Sequence, residues 1–420
     1  MKQKKRILQK GIGFIAALLV FFSAAMAEDI KFENNPAQQG FNLTEASEAG
    51  ARVVYSIHEF SLNSVQINGE SMQEIGLSGH FLPNDEGAPN LPGNGRMLAV
   101  PRNAEVHLNI ISFQTEVFQN VDLAPAPRIP WDTDDQPLEY KKDESIYAKN
   151  AFYPENPVSL SEITQVRGVD VVMLGITPFQ YNPVTQELIV YKDLEVEVKF
   201  IGGNGQFGDD RLRSRWWDPI LNDMLLNHTS LPEMDYNPAT NNRSKDTGCE
   251  YLIITPNGAD FQAWADSIRV FRTLQGIMTD IVTIDDIGAN NANTIENYIN
   301  DAYNNWDIVP AAVLILADYG SNPSMNITSP IWSNYCVSDN IWADVSGNHM
   351  PDIVFARITA NNASQLETMV TKFLDYERTP PTDPDFYAHP ITALGWQTER
   401  WFQICSETVG GFWKNVQGKD

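Results

Sequence analysis

The sequence predicts a β-rich domain followed by an α/β domain whose sheet is mainly parallel. In the first half, apolar and charged residues alternate from Leu194 to Phe200, as expected of a strand with one buried face. In the second half, short apolar runs alternate with helical patterns, which is the rhythm of parallel strands joined by helices. The change of pattern falls near residue 245.

Further strands are predicted before residue 202. Val169 to Ile176 is almost continuously apolar, and Met97 to Val100 and Val106 to Phe113 suggest two more strands. Turn residues, mainly proline, glycine and asparagine, separate these runs. Residues 28–201 are therefore predicted to form a mostly β domain.

Residues 202–248 are predicted to be a linker. The segment opens with glycines and closes with a polar stretch that contains Arg243 and Lys245. Exposed polar loops are where proteolytic nicking concentrates, so Arg243 is the predicted processing site, with Lys245 as the alternative.

Residues 249–420 carry the α/β pattern. Apolar runs predict strands, and residues spaced three and four apart predict helices. The predicted elements, in chain order, are strand Tyr251 to Thr255, helix Phe261 to Leu274, strand Ile281 to Ile284, helix Ile295 to Tyr303, strand Ala311 to Ala317, a hairpin within Ile341 to Ile358, helix Leu366 to Leu374, a fourth parallel strand Ile391 to Trp396, and a helix from about Glu399 to Trp413. No closing strand follows, so the sheet is expected to be incomplete.

The first 27 residues have the order of a secretory signal peptide. Five basic residues precede an apolar run from Ile12 to Phe22, and Ala25 and Ala27 put small side chains where signal peptidase reads the chain. Cleavage is expected between Ala27 and Glu28. The apolar run is short for a membrane span, which favours a cleaved peptide over an uncleaved anchor. We therefore expect a protein secreted or held at the surface or in the periplasm of a bacterium.

The charge balance excludes some partners. Without residues 1–27 the chain keeps 24 of its 29 basic residues and all 54 acidic ones, a formal net charge of −30. Such a charge argues against nucleic acid and anionic membrane surfaces as partners, and it fits a soluble extracellular protein or one that binds divalent cations. No second long apolar segment predicts an integral membrane helix.

The three cysteines, Cys249, Cys336 and Cys405, are too few for a disulfide framework or a zinc site of their own. Cys405 is spaced to lie with Trp401 and Phe402 on a packed helix face, which predicts an inert thiol. Neither of the other cysteines has a histidine nearby in sequence. The residues alone therefore show no convincing catalytic set.

Polar residues that follow the predicted strands are the candidate site residues, because sites in open parallel sheets form outside the carboxyl ends of the strands. They are Asn257, Asp285, Asp286, Asp318, Gln397, Thr398 and Glu399. Asp318 follows a buried aliphatic run, where a carboxylate is either a cap or a ligand for a cation or substrate.

The loop from Asp344 to Asp352 alternates oxygen-bearing side chains around Gly347. Calcium takes such oxygen ligands, and a hairpin turn favours the same residue types. The loop is shorter than an EF-hand and lacks its terminal glutamate. Asp344 and Asp352 are thus candidate ligands for a structural calcium ion, with a hairpin turn as the alternative, and Asp318 is a separate metal candidate.

The chain resembles the gingipain-like cysteine peptidases, family C25, over nearly all of the predicted mature sequence. Five stretches carry the resemblance in the second half: Tyr251–Asn257 (YLIITPN), the predicted helix through Trp264 to Gly276, Ala312–Asp318 (AVLILAD), Pro351–Arg357 (PDIVFAR) and Leu374–Arg378 (LDYER). In the first half, the matching propeptide is suggested by Gly87–Pro92 (GAPNLP), Leu98–Pro101 (LAVP) and Pro178–Pro183 (PFQYNP).

The resemblance implies an order of parts and an activity. Residues 28–201 correspond to an inhibitory propeptide, and residues 249–420 correspond to the first part of a caspase-like peptidase domain. The family's catalytic dyad, a histidine in a His-Gly motif and a later cysteine, is expected beyond Asp420. Glu399 falls roughly where a member can place an acidic residue that assists the histidine.

The full-length protein is accordingly expected to be a secreted cysteine endopeptidase zymogen that acts on proteins and peptides, is inhibited by its own propeptide and requires no cofactor. Some members select arginine with an acidic residue, but Gln403 lies at about that place, so arginine specificity is not implied. The alternative is a catalytically inactive secreted module that keeps the peptidase scaffold for binding or for a structural role.

Overall fold

The structure is a computed structural model that describes residues 27–32, 38–80, 82, 85–128, 137–236, 248–394, 400–415 and 418. The sequence up to Met26, the processing candidate Arg243 with Lys245, and Glu399 lie outside the described residues. The predicted order of a β-rich part followed by an α/β part with a parallel sheet is confirmed.

The first part is built mainly from antiparallel strands. Its described strands are β1 (Ala27–Lys31), β2 (Gly40–Ser47), β3 (Gly50–Ser56), β4 (Glu59–Ile67), β5 (Glu70–Gly76), β6 (Asn94–Ala99), β7 (Ala104–Phe118), β8 (Val158–Leu160), β9 (Thr164–Val166), β10 (Val169–Ile176), β11 (Phe179–Asn182) and β12 (Glu187–Gly202). A single-turn helix, α1 (Glu144–Tyr147), lies between β7 and β8.

These strands form three antiparallel sheets, with orders β1–β4–β5, β6–β10–β8 and β11–β12–β3–β2; β9 pairs with β10, and β7 pairs with β12. The alternation predicted in β12 is observed, since Leu194, Val196 and Val198 are fully buried while Glu195 and Glu197 are half-buried. Side chains from all three sheets share one apolar core. Hydrophobic burial on one face of each sheet therefore organises this part.

Residues 202–236 of the predicted linker are folded. They contain helix α2 (Asp218–Met224) and a short 3₁₀ turn (His228–Ser230). Arg213, almost fully buried, forms a two-point ion pair with Asp218 at 2.7 and 2.8 Å. The predicted linker thus has a described, folded front portion.

The second part alternates strands and helices. Its elements are β13 (Tyr251–Thr255), α3 (Ala259–Leu274), β14 (Thr279–Thr283), α4 (Ile284–Ile287), α5 (Ala292–Asn305), β15 (Ala312–Ile315), β16 (Ile331–Trp332), β17 (Cys336–Val337), α6 (Asn340–Ala343), β18 (Val354–Arg357), α7 (Ala363–Arg378), α8 (Pro384–Ala388) and α9 (Arg400–Asn415).

The main sheet of this part has the order β14–β13–β15–β18, and every pairing in it is parallel. The chain steps one way from β13 to β14 and the other way from β14 to β15, so right-handed crossovers put α3 and α5 on opposite faces. Both helices bury the apolar residues that predicted them, for example Ile268 in α3 and Ile299 in α5. The sheet is consequently covered by helices, as the alternation predicts.

Two predicted elements are wrong. The hairpin expected within residues 341–358 is instead helix α6 followed by β18, which pairs with β15 in parallel. Its turn residues lie in a loop between a helix and a strand, where the same small polar residues are favoured. The strand expected from Ile391 is not formed at residues 391–394, and residues 395 and 396 lie outside the described chain. The fourth parallel strand is β18.

The two parts meet at a turn between β9 and β10. This turn consists of Arg167 and Gly168, whose φ angles are +47° and +75°, as a tight antiparallel connection of two residues requires. Arginine rarely adopts this backbone region, and such residues persist where the surroundings fix them. The Arg167 side chain is fully buried and points into the start of β15 and β18, where it contacts Pro310 and Asp352.

Replacement of Gly168 by alanine is expected to destabilise the protein by disturbing the packing of this turn against Leu212. A Cβ atom there would lie 2.4 Å from Cδ1 of Leu212, a buried side chain that would have to repack. Gly347 is a matched control, because its φ is +72° and a Cβ would meet nothing within 4 Å. Gly347→Ala should cost about 1–2 kcal/mol from the backbone alone, and Gly168→Ala about 1–3 kcal/mol more. Denaturant unfolding measures both, and equal losses would contradict the steric role of Leu212.

Candidate functional site

The carboxyl-terminal edge of the parallel sheet gathers several of the candidate residues. Register pairs Thr255 with Thr283 and Ile315 with Arg357, so the four strands end together. Asn257, Asp285 and Asp318 follow these strand ends and lie at this edge. Gln397, Thr398 and Glu399, expected at the same edge, lie outside the described residues.

The polar side chains at this edge bind one another. Asn257 donates its amide to the carboxylate of Asp285 at 2.7 Å, and its own oxygen accepts the Asp285 backbone N–H at 2.9 Å. Asp318 is half-buried, and its two oxygens accept from the Asn361 side chain at 2.6 Å and from the Tyr319 backbone at 2.8 Å. Asp286 caps a helix turn at Thr283, and its pKa is lowered by hydrogen bonds from that residue. These contacts tie neighbouring loops together.

Arg357, the last residue of β18, is a central organiser of this edge. Its guanidinium forms a two-point ion pair with Asp339, through Nε at 2.6 Å and Nη2 at 2.8 Å. The remaining N–H groups donate to the backbone oxygens of Ala317, Ile327 and Thr328 at 3.0–3.1 Å. The arginine thus fixes the loop after β15 against the end of β18.

Sequence reasoning missed this role of Arg357. The residue was noted only within the Pro351–Arg357 stretch that resembles the C25 family. Its partners are backbone oxygens and a carboxylate 18 residues away in sequence, at Asp339. Every residue has a backbone carbonyl, so the sequence could not indicate these partners. The one available signal was the predicted element that ends at Ile358, which put Arg357 near a strand end.

The candidate metal ligands lie in two separate places. Asp344 and Asp352 lie near the amino-terminal edge of the sheet, whereas Asp318 lies at the carboxyl-terminal edge. Asp344 accepts the backbone N–H groups of Asn348 and His349 at 3.0 and 2.8 Å, and fully buried Asp352 accepts that of Ser346 at 2.8 Å. Across the described residues, no group of three or more His, Cys, Asp or Glu could hold a metal ion. These contacts fold the loop between α6 and β18 back on itself, without the hairpin that was the alternative.

The three thiols lie in separate places. Cys249 is buried beside the start of β13, and burial raises its pKa to about 12, which keeps the thiol protonated. Cys336 is exposed in the β16–β17 hairpin, and Cys405 is exposed in α9. The prediction that Cys405 is packed is wrong: α9 forms, but none of its described side chains from 403 to 414 is buried.

The histidines of the second part have other partners. Nδ1 of His389 is 2.8 Å from the backbone oxygen of Asp385, and the His349 ring packs edge-on against Trp332. In the part of the chain that the structure describes, no thiol is hydrogen-bonded to an imidazole. Gln403, the residue at the expected specificity position, donates to Glu407 within the same helix at 2.7 Å. The described residues therefore assemble no thiol–imidazole pair.

Contacts between the parts define a second polar site at the amino-terminal edge of the sheet. There Arg167 donates to the backbone oxygens of Pro310 and Asp352 at 2.9 and 2.8 Å, and its own backbone N–H donates to Asp352 Oδ1 at 3.2 Å. Nearby, Asn348 donates its side-chain amide to Gln165 O at 2.6 Å. The amino-terminal edge of the sheet therefore contacts the β-rich part, while the carboxyl-terminal edge carries the loops that follow the strands.

A β-rich part that precedes and packs on a parallel α/β part is the arrangement that the resemblance to a propeptide and its peptidase domain predicts. Residues 31–207 match the C25 propeptide family, Propeptide_C25, and residues 244–398 match Peptidase family C25. The chain therefore belongs to the gingipain-like cysteine peptidases of family C25 and carries their propeptide region ahead of the peptidase region.

Curated relatives are similar over most of this chain. Lys-gingipain HG66 of Porphyromonas gingivalis is 23% identical over 358 residues, which cover 81% of this chain and 20% of the relative. Gingipain R2 of the same species, strain W83, is 23% identical over 362 residues, 83% of this chain and 46% of the relative. The chain thus spans between a fifth and a half of the length of these relatives.

Two solved structures show partial similarity. The complex of Porphyromonas gingivalis RgpB pro- and mature domains aligns with a TM-score of 0.41 at 22% identity, over 47% of this chain and 98% of that chain. The structure of gingipain K from the same species, described under zymogenic latency, aligns with a TM-score of 0.38 at 24% identity, over 43% of this chain and 100% of that chain.

Among the helices described, none is both long enough and apolar enough to cross a bilayer.

The different environments of the thiols can be checked by chemical labelling. An aromatic disulfide reagent at pH 8 should modify two thiols of the native chain, Cys336 and Cys405, and a third, Cys249, only after denaturant is added. The cause is that burial both shields Cys249 and keeps it protonated. Cys249→Ala should leave the native count at two and lower the denatured count to two. Rapid modification of three thiols in the native chain would contradict the assigned burial.

Proposed function

We propose that this chain is the precursor portion of a secreted bacterial cysteine endopeptidase that cuts extracellular proteins. The observation that carries the proposal is the succession of a C25 propeptide match and a C25 peptidase match along one chain, over a β-rich part that packs on a parallel α/β part. The resemblance alone supplies the thiol chemistry, in which a thiolate attacks the peptide carbonyl and an imidazole protonates the leaving amine.

The β-rich part would act as an intramolecular inhibitor. The two apolar cores meet, because Ala311 of the second part packs with the first core and Leu212 packs with the second. Protein or peptide substrates and the chain's own propeptide are therefore the proposed partners.

Activation would require a cut in the segment 237–247. The peptidase match begins at residue 244, directly after the processing candidate Arg243, and the propeptide match ends at residue 207. The polar sequence around Arg243 and Lys245 suits a protease with basic specificity. A cut after Arg243 would separate the two matched regions and leave residues 208–243 on the propeptide.

The reactive thiolate is proposed to come from outside residues 1–420. Cys249 is buried and protonated, and neither Cys336 nor Cys405 has an imidazole bonded to it in the described chain. Glu399 would assist the histidine, in the role that the resemblance gives it. Gln403, at about the place of the acidic residue that selects arginine in some members, gives no preference for a basic substrate residue. We propose no cofactor.

The coding sequence downstream of codon 420 tests the function. We expect it to encode a His-Gly motif after one strand and a cysteine after a later apolar strand. A chain extended through both should hydrolyse a labelled protein substrate in a thiol-dependent way once the 237–247 segment is cut, whereas the 420-residue chain should give no thiol-dependent turnover.

The control is the 420-residue chain with all three cysteines replaced by alanine, which should behave as its parent. Thiol-dependent turnover by the parent that this variant loses would sink the assignment of the thiolate. A stop codon after Asp420 would favour the inactive binding module instead.

Export is tested separately in a Gram-negative host. The chain should leave the cytoplasm and show Glu28 as its first residue by N-terminal sequencing, because the small side chains of Ala25 and Ala27 fit signal peptidase. Ala27→Arg should abolish that cut and retain the longer chain, while Ala24→Ser, outside the two positions that are read, should not. Export of an uncut chain would contradict the cleaved signal peptide.

A further inference from the structure

Strand β7 has a long outer edge that no described strand covers. It runs for 15 residues, from Ala104 to Phe118, whereas strands of globular proteins usually have about five or six. Among the described strands, only β12 pairs with it. The backbone N–H and C=O groups on its other side are therefore a template on which a further strand can form.

This edge lacks most of the features that keep an exposed strand from pairing. Proteins commonly protect such an edge with lysine, proline, a bulge or a short strand. Strand β7 contains no lysine and no proline. It has a bulge at Ile111, which the pairing with β12 skips, but every residue from Ser112 to Phe118 has a partner in β12. We call this regular stretch, residues 112–118, the β7 edge; it is as long as an ordinary strand.

Apolar side chains of the β7 edge are left partly uncovered. Phe113 lies opposite Leu194, which is 0% exposed, and its ring packs edge-on against Tyr191 with the ring centroids 5.6 Å apart. Phe113 itself is nevertheless 57% exposed, and Val117 is 46% exposed. The two residues are four positions apart in a strand and so lie on one face of the sheet. A strand added beside β7 would remove apolar surface from water, which is favourable.

The β7 edge carries little net charge, although the protein as a whole is strongly acidic. Its one charged residue is Glu116, and Oε2 of that residue lies 3.4 Å from Nζ of Lys192 on the neighbouring strand. The formal net charge of −25 on the whole chain is spread over the rest of the surface. Salt screens such exposed charges beyond about 8 Å at physiological ionic strength. A second strongly acidic molecule can therefore approach at this edge.

The sequence of the β7 edge is complementary to itself. A two-fold axis at Thr115 places Phe113 of one copy opposite Val117 of the other and Gln114 opposite Glu116, and it creates each pair twice. Aromatic and β-branched side chains stabilise one another across antiparallel strands, and a glutamine amide donates to a carboxylate. Apolar groups thus meet apolar groups, and a donor meets an acceptor. A second copy of the chain supplies all of these partners.

We propose that the β7 edge is the interface at which two copies of this chain associate, by antiparallel pairing of residues 112–118 about Thr115. Backbone hydrogen bonds then join the two copies into one continuous sheet, as in other cases of strand addition. The interface is small, so the association is weak and depends on concentration. The proposal does not depend on the proposed peptidase function, because it uses residues of the β-rich part alone.

Sedimentation velocity of the full chain over a dilution series tests the interface. The parent should form dimers at micromolar concentrations, and the backbone amides of residues 112–118 should exchange hydrogen more slowly as the concentration rises. Val117→Lys puts a charge opposite Phe113 at both ends of the interface and should weaken dimerisation about tenfold. Val270→Lys is the matched control, because Val270 is 45% exposed but lies on α3, in the second part, and it should leave dimerisation unchanged.

A pair of opposite charge changes at Gln114 makes the test specific for the proposed register. Gln114→Glu places two carboxylates opposite each other and should weaken dimerisation about fivefold, whereas Gln114→Lys faces Glu116 and should strengthen it about fivefold. Both changes also act within one copy, since Gln114 lies opposite Asp193, but that effect appears in unfolding of the monomer. Should Val117→Lys fail to fold, the two Gln114 variants decide.

Three results would overturn the interface. The first is a parent that stays monomeric at every concentration, or whose residues 112–118 are already fully protected in the dilute monomer because another segment covers them. The second is a folded Val117→Lys variant that dimerises as tightly as Val270→Lys. The third is a shift of dimerisation in the same direction by Gln114→Glu and Gln114→Lys.

Discussion

The burial of the Arg167 guanidinium constrains how the two parts of this chain are assembled. A desolvated cation needs hydrogen-bond acceptors, and neither part supplies enough of them alone. Leu212 comes from the segment before α2, and Pro310 and Asp352 come from the peptidase region. The turn that places Arg167 there has positive φ at both of its residues, and a Cβ at Gly168 would clash with Leu212. The hydrogen bonds of this charge are therefore complete only when the two parts are assembled.

The two edges of the parallel sheet make different contacts. At the carboxyl-terminal edge, the ion pair of Arg357 with Asp339 fixes the loops. The carboxylates of Asp318 and Asp285 accept hydrogen bonds from the side chains of asparagines nearby. At the amino-terminal edge, the strand starts present backbone oxygens that bind the propeptide. The contacts named at one edge share no residue with those named at the other.

Regular elements were predictable because their signal is local. Alternation identified β12, and spacings of three and four residues identified α3, α5 and α7, because burial on one face imposes those periods. The predictions failed where two structures share one local signal. The small polar residues from Asp344 to Asp352 suit a hairpin turn as well as a loop between a helix and a strand, and pairing with β15 decided between them. The exposure of Cys405 likewise depends on what covers α9, which its own spacing does not reveal.

The sequence by itself determined the order of the parts, the parallel α/β character of the second part, and the resemblance to family C25, because periodicity and short motifs are properties of contiguous residues. Only the tertiary structure decided which charged residues matter. Arg167 and Arg357 find their acceptors mainly in backbone carbonyls from distant segments, such as Pro310 and Ala317. Every residue carries a carbonyl, so such partners have no identity in a sequence, and only the fold brings particular ones to a guanidinium.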